Sequence, residues 1–452
     1  RAMISTSSFF VPQLSIGLDR VRITRQPGVA DTGLGGGGSG TGPGTGSGEG
    51  AGATRIEGEN LTMRAGGVPF FYWPSFSGEL DALPFRSLRV GYDEEFGSEI
   101  ETTWNLLALL GIKSPPDTRV DLLLDGFTKR GPAAGIDFSS DGVDYRTRLS
   151  AYGLYDGGGT DRTSAGVSVP VSESFRGELE GFFTYALAEN LTFRADLAWL
   201  SDPTWASAWR LGEFDTRLEY MTGASLDFRV KNTQLELAAN YSAIPFVANN
   251  YKMASRPYYV DKAPELVYRR HADTLFGDSV SYSSNYSASY MRIDVTNGTP
   301  DDLGVPSAAF AMTDPDQRVA DNYYGAAGYN NDFVTRLNTR QEASVPLTYG
   351  ATNLVPYVSG QATGYISERF DSYNPDAKHI RFFGAIGFKA NTTFVETFNQ
   401  VRSSILDIDR VRSITRPYAH LWAGADSINQ EGLPIFDQEI EAISGGSAVR
   451  AG

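Results

Sequence analysis

From about Arg86 onward, apolar and polar residues alternate with a period of two, the spacing that sends successive side chains to opposite faces of a β-strand. In Leu191-Thr192-Phe193-Arg194-Ala195-Asp196-Leu197-Ala198-Trp199, one face carries Leu, Phe, Ala, Leu and Trp, and the other carries Thr192, Arg194, Asp196 and Ala198. Ala224, Leu226, Phe228 and Val230 alternate with Ser225, Asp227, Arg229 and Lys231. Leu235, Leu237, Ala239 and Tyr241 alternate with Glu236, Ala238 and Asn240, and Ile100, Thr102, Trp104 and Leu106 with Glu99, Glu101, Thr103 and Asn105. The segments 178–187, 191–200, 223–231, 234–243 and 279–293 reach or approach the roughly 9 to 11 residues of a membrane-crossing strand, against about 5 or 6 for a soluble one.

The connections are asymmetric. Ala188-Glu189-Asn190 and Lys231-Asn232-Thr233 are tight, whereas 245–264 and 297–332 are long and polar. Tyr185, Trp199, Tyr220 and Tyr241 lie near strand ends, where an interfacial belt places its aromatics. The best helix candidate, 205–211, is too short to stand alone. The pattern predicts an all-β chain: a large antiparallel transmembrane β-barrel of about sixteen strands from residue 85 on, its apolar face in lipid and its polar face in a wet lumen. Arg194, Asp196, Asp227, Arg229 and Lys231 are its lumen-facing candidates. A last alternating piece begins at Ser447-Ala448-Val449-Arg450. Because a barrel must close its edges, this start predicts a ring still open at Gly452.

Ahead of the barrel lies a small β module. Its strand-like pieces are Phe9-Phe10-Val11 and Val21-Arg22-Ile23, interrupted by Pro12 and Pro27, and the pattern resumes at 55–63. Between them, 33–53 is a Gly, Ser and Thr tract with Pro43, which reads as a flexible insertion. No Gly-Lys-Ser/Thr follows it, so it is not a phosphate cradle. Val68-Pro69-Phe70-Phe71-Tyr72-Trp73-Pro74 joins the two parts. Proline has no backbone N–H to give a central strand, so Pro69 and Pro74 predict a rigid joint in place of a ladder. The expected division is 1–67 for the β module, 68–84 for the joint and 85–452 for the barrel.

Charge and composition narrow the chemistry. With 39 Lys+Arg against 54 Asp+Glu the net charge is −15, the wrong sign for a nucleic-acid partner. Cysteine is absent and there are 3 histidines, His271, His379 and His420. Disulfides, thiolate metal sites and multi-His zinc cages are thereby excluded. The histidines are far apart in sequence and no Ser-centred elbow accompanies them, so no catalytic residue and no cofactor is expected. The acidic clusters Asp93-Glu94-Glu95 and Asp301-Asp302 lack calcium-loop spacing. No run of roughly 18 to 20 apolar residues provides a membrane helix.

The joint, Val68-Pro69-Phe70-Phe71-Tyr72-Trp73-Pro74, resembles the segment that links a periplasmic β-jellyroll (the OstA-like domain) to the barrel in the LptD family of outer-membrane LPS-assembly proteins. Three further stretches follow in the order of that family. They are Ser201-Asp202-Pro203-Thr204-Trp205 with Phe214-Asp215-Thr216; Arg336-Leu337-Asn338-Thr339-Arg340 with Val345-Pro346-Leu347 and Leu354-Val355-Pro356; and Ile414-Thr415-Arg416-Pro417-Tyr418 with Leu433-Pro434-Ile435-Phe436-Asp437. Arg416 stands where the family carries an acidic residue, and the interdomain disulfides of well-known members are impossible here.

The resemblance implies a function without bond chemistry. Lipopolysaccharide would be received from an LptA-type periplasmic bridge, its acyl chains held by the jellyroll and its sugars by the lumen, and released into the outer leaflet of the cell outer membrane through a lateral gate. It further implies an LptE-type plug lipoprotein in the lumen and a ring of 26 strands. Pro69, Tyr72, Pro74 and Pro84 are the gate and joint candidates, since each strand proline deletes a ladder hydrogen bond. The residues alone leave open a porin or substrate-specific channel, and a soluble β-structural protein.

Overall fold

The computed structural model describes residues 2–5, 14–18, 20–25, 54–65, 68–79, 84–162, 167–210, 220–244, 258–322, 331–366, 378–403, 408–427 and 447–451. The Gly-rich tract 33–53, Phe9-Phe10-Val11, Phe214-Asp215-Thr216 and the stretch 433–437 lie outside them.

The N-terminal module is a five-stranded antiparallel sheet of β1 (Ala2–Ser5), β2 (Leu14–Leu18), β3 (Arg20–Arg25), β4 (Thr54–Ala65) and β5 (Val68–Glu79). The long strand β4 takes β2 against 62–65 and β3 against 54–59, and β5 runs along its other side. The expected joint is therefore corrected: Val68-Pro69-Phe70-Phe71-Tyr72-Trp73-Pro74 is a paired strand. The prolines are tolerated because, among the described residues, β5 pairs with β4 alone, leaving its other side without ladder bonds. Pro69 also sits at a bulge, opposite Arg64 where the register shifts. Pro74 faces Asn60, whose φ is 57°. The connection to the barrel shrinks to residues 80–84, and the carbonyl of Pro84 already accepts a hydrogen bond from the Asn105 N–H at 2.8 Å.

The barrel wall comprises β6 (Phe85–Asp93), β7 (Gly97–Asn105), β8 (Thr118–Phe127), β9 (Gly131–Asp141) and β10 (Tyr145–Asp156). After the inserted hairpin β11 (Gly159–Arg162) and β12 (Ser168–Val171) come β13 (Ser174–Ala188), β14 (Leu191–Leu200), β15 (Thr222–Val230) and β16 (Thr233–Tyr241). The wall continues with β17 (Tyr258–Leu275), β18 (Val280–Val295), β19 (Val334–Ser344), the short β20 (Leu347–Tyr349), β21 (Thr352–Ile366) and β22 (Ile380–Thr392). A second inserted hairpin, β23 (Phe394–Ser403) and β24 (Ile408–Thr415), precedes β25 (Tyr418–Asp426) and β26 (Ser447–Ala451).

These strands form a large antiparallel sheet of 16 strands, with β20 prolonging β19 along β21. The ring is closed, β26 lying between β25 and β6. This corrects the expected open edge: the described strands close into a ring of sixteen, where the resemblance implies 26.

Cross-strand partners share a face, and the faces divide by polarity. Leu149, Leu226, Phe228, Leu235, Leu237, Leu266, Leu337 and Phe382 are exposed on the outside, while their neighbours Arg148, Asp227, Glu236, Val267, Asn338 and Arg381 turn inward. Exposed apolar side chains in a continuous band around a closed barrel are stable only where hydrocarbon replaces water. Tyr185, Trp199 and Tyr241 belong to this outer surface, but Tyr220 does not: it is 3% exposed in an interior cluster. Leu237→Arg, in the middle of β16, is expected to destabilise the barrel by about 2–4 kcal/mol, whereas Gln234→Arg, facing the lumen on the same strand, changes little. Urea titration in lipid vesicles measures both.

Candidate functional site

Several tight turns lie at one end of the barrel and most long connections at the other, where the short turns 94–96 and 128–130 also lie. The strand alternation places the turns at 142–144, 189–190 and 231–232 at the same end as the start of β6, and hence the N-terminal sheet. The exposed β23–β24 hairpin leaves from that end too. The connections 157–173, 201–221, 242–257, 296–333 and 427–446 leave the opposite end.

On the long-loop side, two of these connections fold inward. The helix Trp205–Trp209 drops against the inner faces of β8, β9, β10 and β14, where Trp205 is fully buried among Tyr152, Leu154, Ala198 and Leu200. Its packing supplies the stability that five residues of helix lack by themselves. The connection 296–333 carries a capped turn of helix, Pro300–Leu303, and buries Leu303, Val305, Phe310, Met312 and Val319 against Met291, Ile293 and Val295 of β18.

A buried ion network holds the first of these plugs. Arg176 on β13 donates to Asp156 at 2.9 Å, to Asp161 at 2.7 Å, to Asp202 at 2.8 and 2.9 Å and to the Thr204 hydroxyl at 3.1 Å. Arg130, in the β8–β9 turn, also pairs with Asp161 and lies 3.5 Å from Asp156. Arg176 lies over the Trp205 ring, and the indole N–H of Trp205 donates to Glu178 at 2.8 Å. Burial pushes the Asp202 carboxyl up, but the hydrogen bonds and charge of Arg176, with Ser201 and Thr204, hold it below the usual carboxylate range. The Ser201-Asp202-Pro203-Thr204-Trp205 stretch is thus a latch that fastens a loop inside the barrel mouth. Nothing in its local spacing announces Asp156, Asp161 or Arg176, which come from three other segments.

The lumen candidates sort as follows. Arg194 and Asp196 are exposed on the inner face of β14. Asp227 is buried on the inner face of β15, accepting from Arg229 at 2.9 Å and from Gln234 at 3.1 Å. Lys231 is corrected: it leaves the wall for the two-residue β15–β16 turn, with φ 52°. The sequence pattern ran one residue too far because a charged residue suits a turn as well as a lumen. Across β13 and β14, Asp196 faces Phe182 and Arg194 faces Thr184, while Pro69, Tyr72 and Pro74 all lie on β5. Tyr72 donates its hydroxyl to Asn60 at 2.6 Å.

The seam of the ring lies at β26. Among the described residues it pairs with β25 from Ala419–Ala451 to Ala423–Ser447. The next strand in the ring after β26 is β6, which the N-terminal sheet enters through residues 80–84.

No protein-family model matches the chain, and no curated protein matches it. Solved structures with a similar arrangement include a bacterial polysaccharide outer-membrane secretin, with 9% identity, 74% of this chain and 88% of that one covered, and a TM-score of 0.27. The outer-membrane protein OmpT of Vibrio cholerae, as a loop-deletion mutant, has 9% identity, coverage of 77% and 92% and a TM-score of 0.28. BamA from Haemophilus ducreyi has 8% identity, coverage of 92% and 73% and a TM-score of 0.29. Likenesses this loose assign no role to any residue; the apolar outer band and polar lumen of the closed ring stand on the structure itself.

Proposed function

We propose that the chain is an outer-membrane LPS-assembly protein that takes lipopolysaccharide from an LptA-type bridge and inserts it into the outer leaflet through a lateral gate, with no covalent chemistry. The N-terminal sheet then lies in the periplasm, and lipopolysaccharide and outer-membrane lipids are the barrel's partners. The observation that carries this reading is the coincidence of two features on β6: the N-terminal sheet feeds into this strand, and the ring closes there against β26. An amphiphile delivered along the sheet arrives at the strand where the circuit closes, and parting of the wall there would let its acyl chains pass into lipid while its sugars stay in the hydrated lumen. An LptE-type plug lipoprotein would sit among the inward polar residues. The second reading is a porin or substrate-specific channel.

Photo-crosslinking decides between the two. A photoreactive residue at position 61 or 63 of β4 is expected to trap lipopolysaccharide in intact cells, in a manner that depends on its periplasmic supply. A porin gives no such adduct.

A further inference from the structure

We infer that the inner wall between β8 and β14 holds a binding recess for an uncharged pyranose of a glycan. The cross-strand register lines up Arg119, Ser139, Arg148, Phe182 and Asp196 in one inward row, and Asp121, Asp137, Ser150 and Glu180 in the row above. Together they surround a recess of about 470 Å³, within the range of pockets that take small organic ligands.

Phe182 is the informative residue. It occupies an inward position of β13, between Glu180 and Thr184, yet 36% of it is exposed. Neither lipid nor the interior aromatic cluster around Trp205 covers it. Its direct partners on the neighbouring strands are Arg148 on one side and Asp196 on the other. An exposed ring flanked by a guanidinium and a carboxylate matches a pyranose, whose C–H face is apolar and whose rim of hydroxyls both donates and accepts hydrogen bonds.

Charge selects among sugars. The two arginines of the recess are already engaged, Arg119 with Asp121 and Arg148 with Asp141 at 2.7 and 2.8 Å. Asp137 accepts from the Ser150 hydroxyl at 2.6 Å, and Asp196 is exposed. The recess thus presents an excess of carboxylate, which repels phosphorylated or uronic sugars and accepts hydroxyls from neutral ones. The site deepens the glycan path proposed above and rests on that reading only for where the sugar comes from.

The test uses the full chain in detergent micelles, with maltotriose as the neutral probe and trigalacturonate as the anionic one, followed by saturation-transfer NMR and calorimetry. Maltotriose is expected to bind and trigalacturonate to bind at least about tenfold more weakly, and Phe182→Ala is expected to weaken maltotriose about tenfold, the value of an aromatic contact. Phe183→Ala, on the outer face of the same strand, leaves binding unchanged. If Phe182→Ala loses its heat-modifiable migration, Phe182→Leu, which keeps apolar volume without the ring, carries the same expectation. Absence of maltotriose binding to the wild-type chain, equal binding by the folded Phe182 variant, or equal binding of trigalacturonate would overturn the site. Maltotriose binding without any lipopolysaccharide adduct at positions 61 and 63 would remove the transport reading and leave the recess standing.

Discussion

Disulfides that pin β26 to its neighbours are expected to abolish delivery of lipopolysaccharide to the cell surface. The chain has no cysteine, so each engineered pair forms without competition. Ala423 and Ser447 are direct partners across β25 and β26, and antiparallel partners lie within disulfide reach whichever type of pair they form. Ala423→Cys with Ser447→Cys locks one side of the seam, and Val449→Cys with a cysteine scanned along β6 locks the other. Ser225→Cys with Ala238→Cys, partners inside the β15–β16 hairpin, is the control and leaves delivery intact. Surface lipopolysaccharide, measured by protease-independent labelling of intact cells, should return to its starting level when reductant is added. Normal delivery with both sides of the seam fully oxidised would exclude lateral exit there and leave the channel reading in its place.

Arg176→Ala is expected to be the most destabilising single substitution in the barrel, by about 3–5 kcal/mol, because it strands charge that no water can reach. Asp156 and Asp161 are fully buried, and Arg176 is their shared partner with Asp202. The remaining Arg130 already lies against both buried aspartates and cannot also replace the contacts to Asp202 and Thr204. The latch should release the Trp205–Trp209 helix, lowering the temperature of heat-modifiable migration and exposing the helix to protease. Arg229→Ala is the contrast: its partner Asp227 is buried, but Arg229 is largely exposed and Gln234 also reaches Asp227. A melting temperature for Arg176→Ala equal to that of wild type would show that the network contributes nothing to closing the mouth.

Much of the wall was legible from alternation alone, since β14 runs from Leu191 to Leu200 as the pattern predicts and the other long strands shift by few residues. Period two reports which face a residue occupies, and in a barrel that is most of the information a strand carries. What it does not report is what lies beyond each face. Tyr220 looks like a belt residue but is covered from inside by the Trp205 helix, a contact set by tertiary packing. Pro69 and Pro74 look incompatible with a strand, but the rule applies to strands paired on both sides, and one-sided pairing has no local signature. The closing of the ring was illegible for the same reason: adjacency of β26 and β6 is a property of the whole circuit. Phe182 could have been found, because an aromatic at a polar-phase position of an otherwise regular strand breaks the alternation in a visible way.

The order of pairing in the ring also dictates how the molecule must be put together. Nearly every neighbour along the wall is joined by a nearby turn or loop, so those ladders can form hairpin by hairpin at small chain-closure entropy. One adjacency, β26 beside β6, unites residues from opposite ends of the circuit. Until it forms, the half-built wall is a curved ribbon with two sticky margins, the geometry most prone to pairing with another copy. Biogenesis of this chain is therefore expected to depend on an escort that shields both margins until the circle meets.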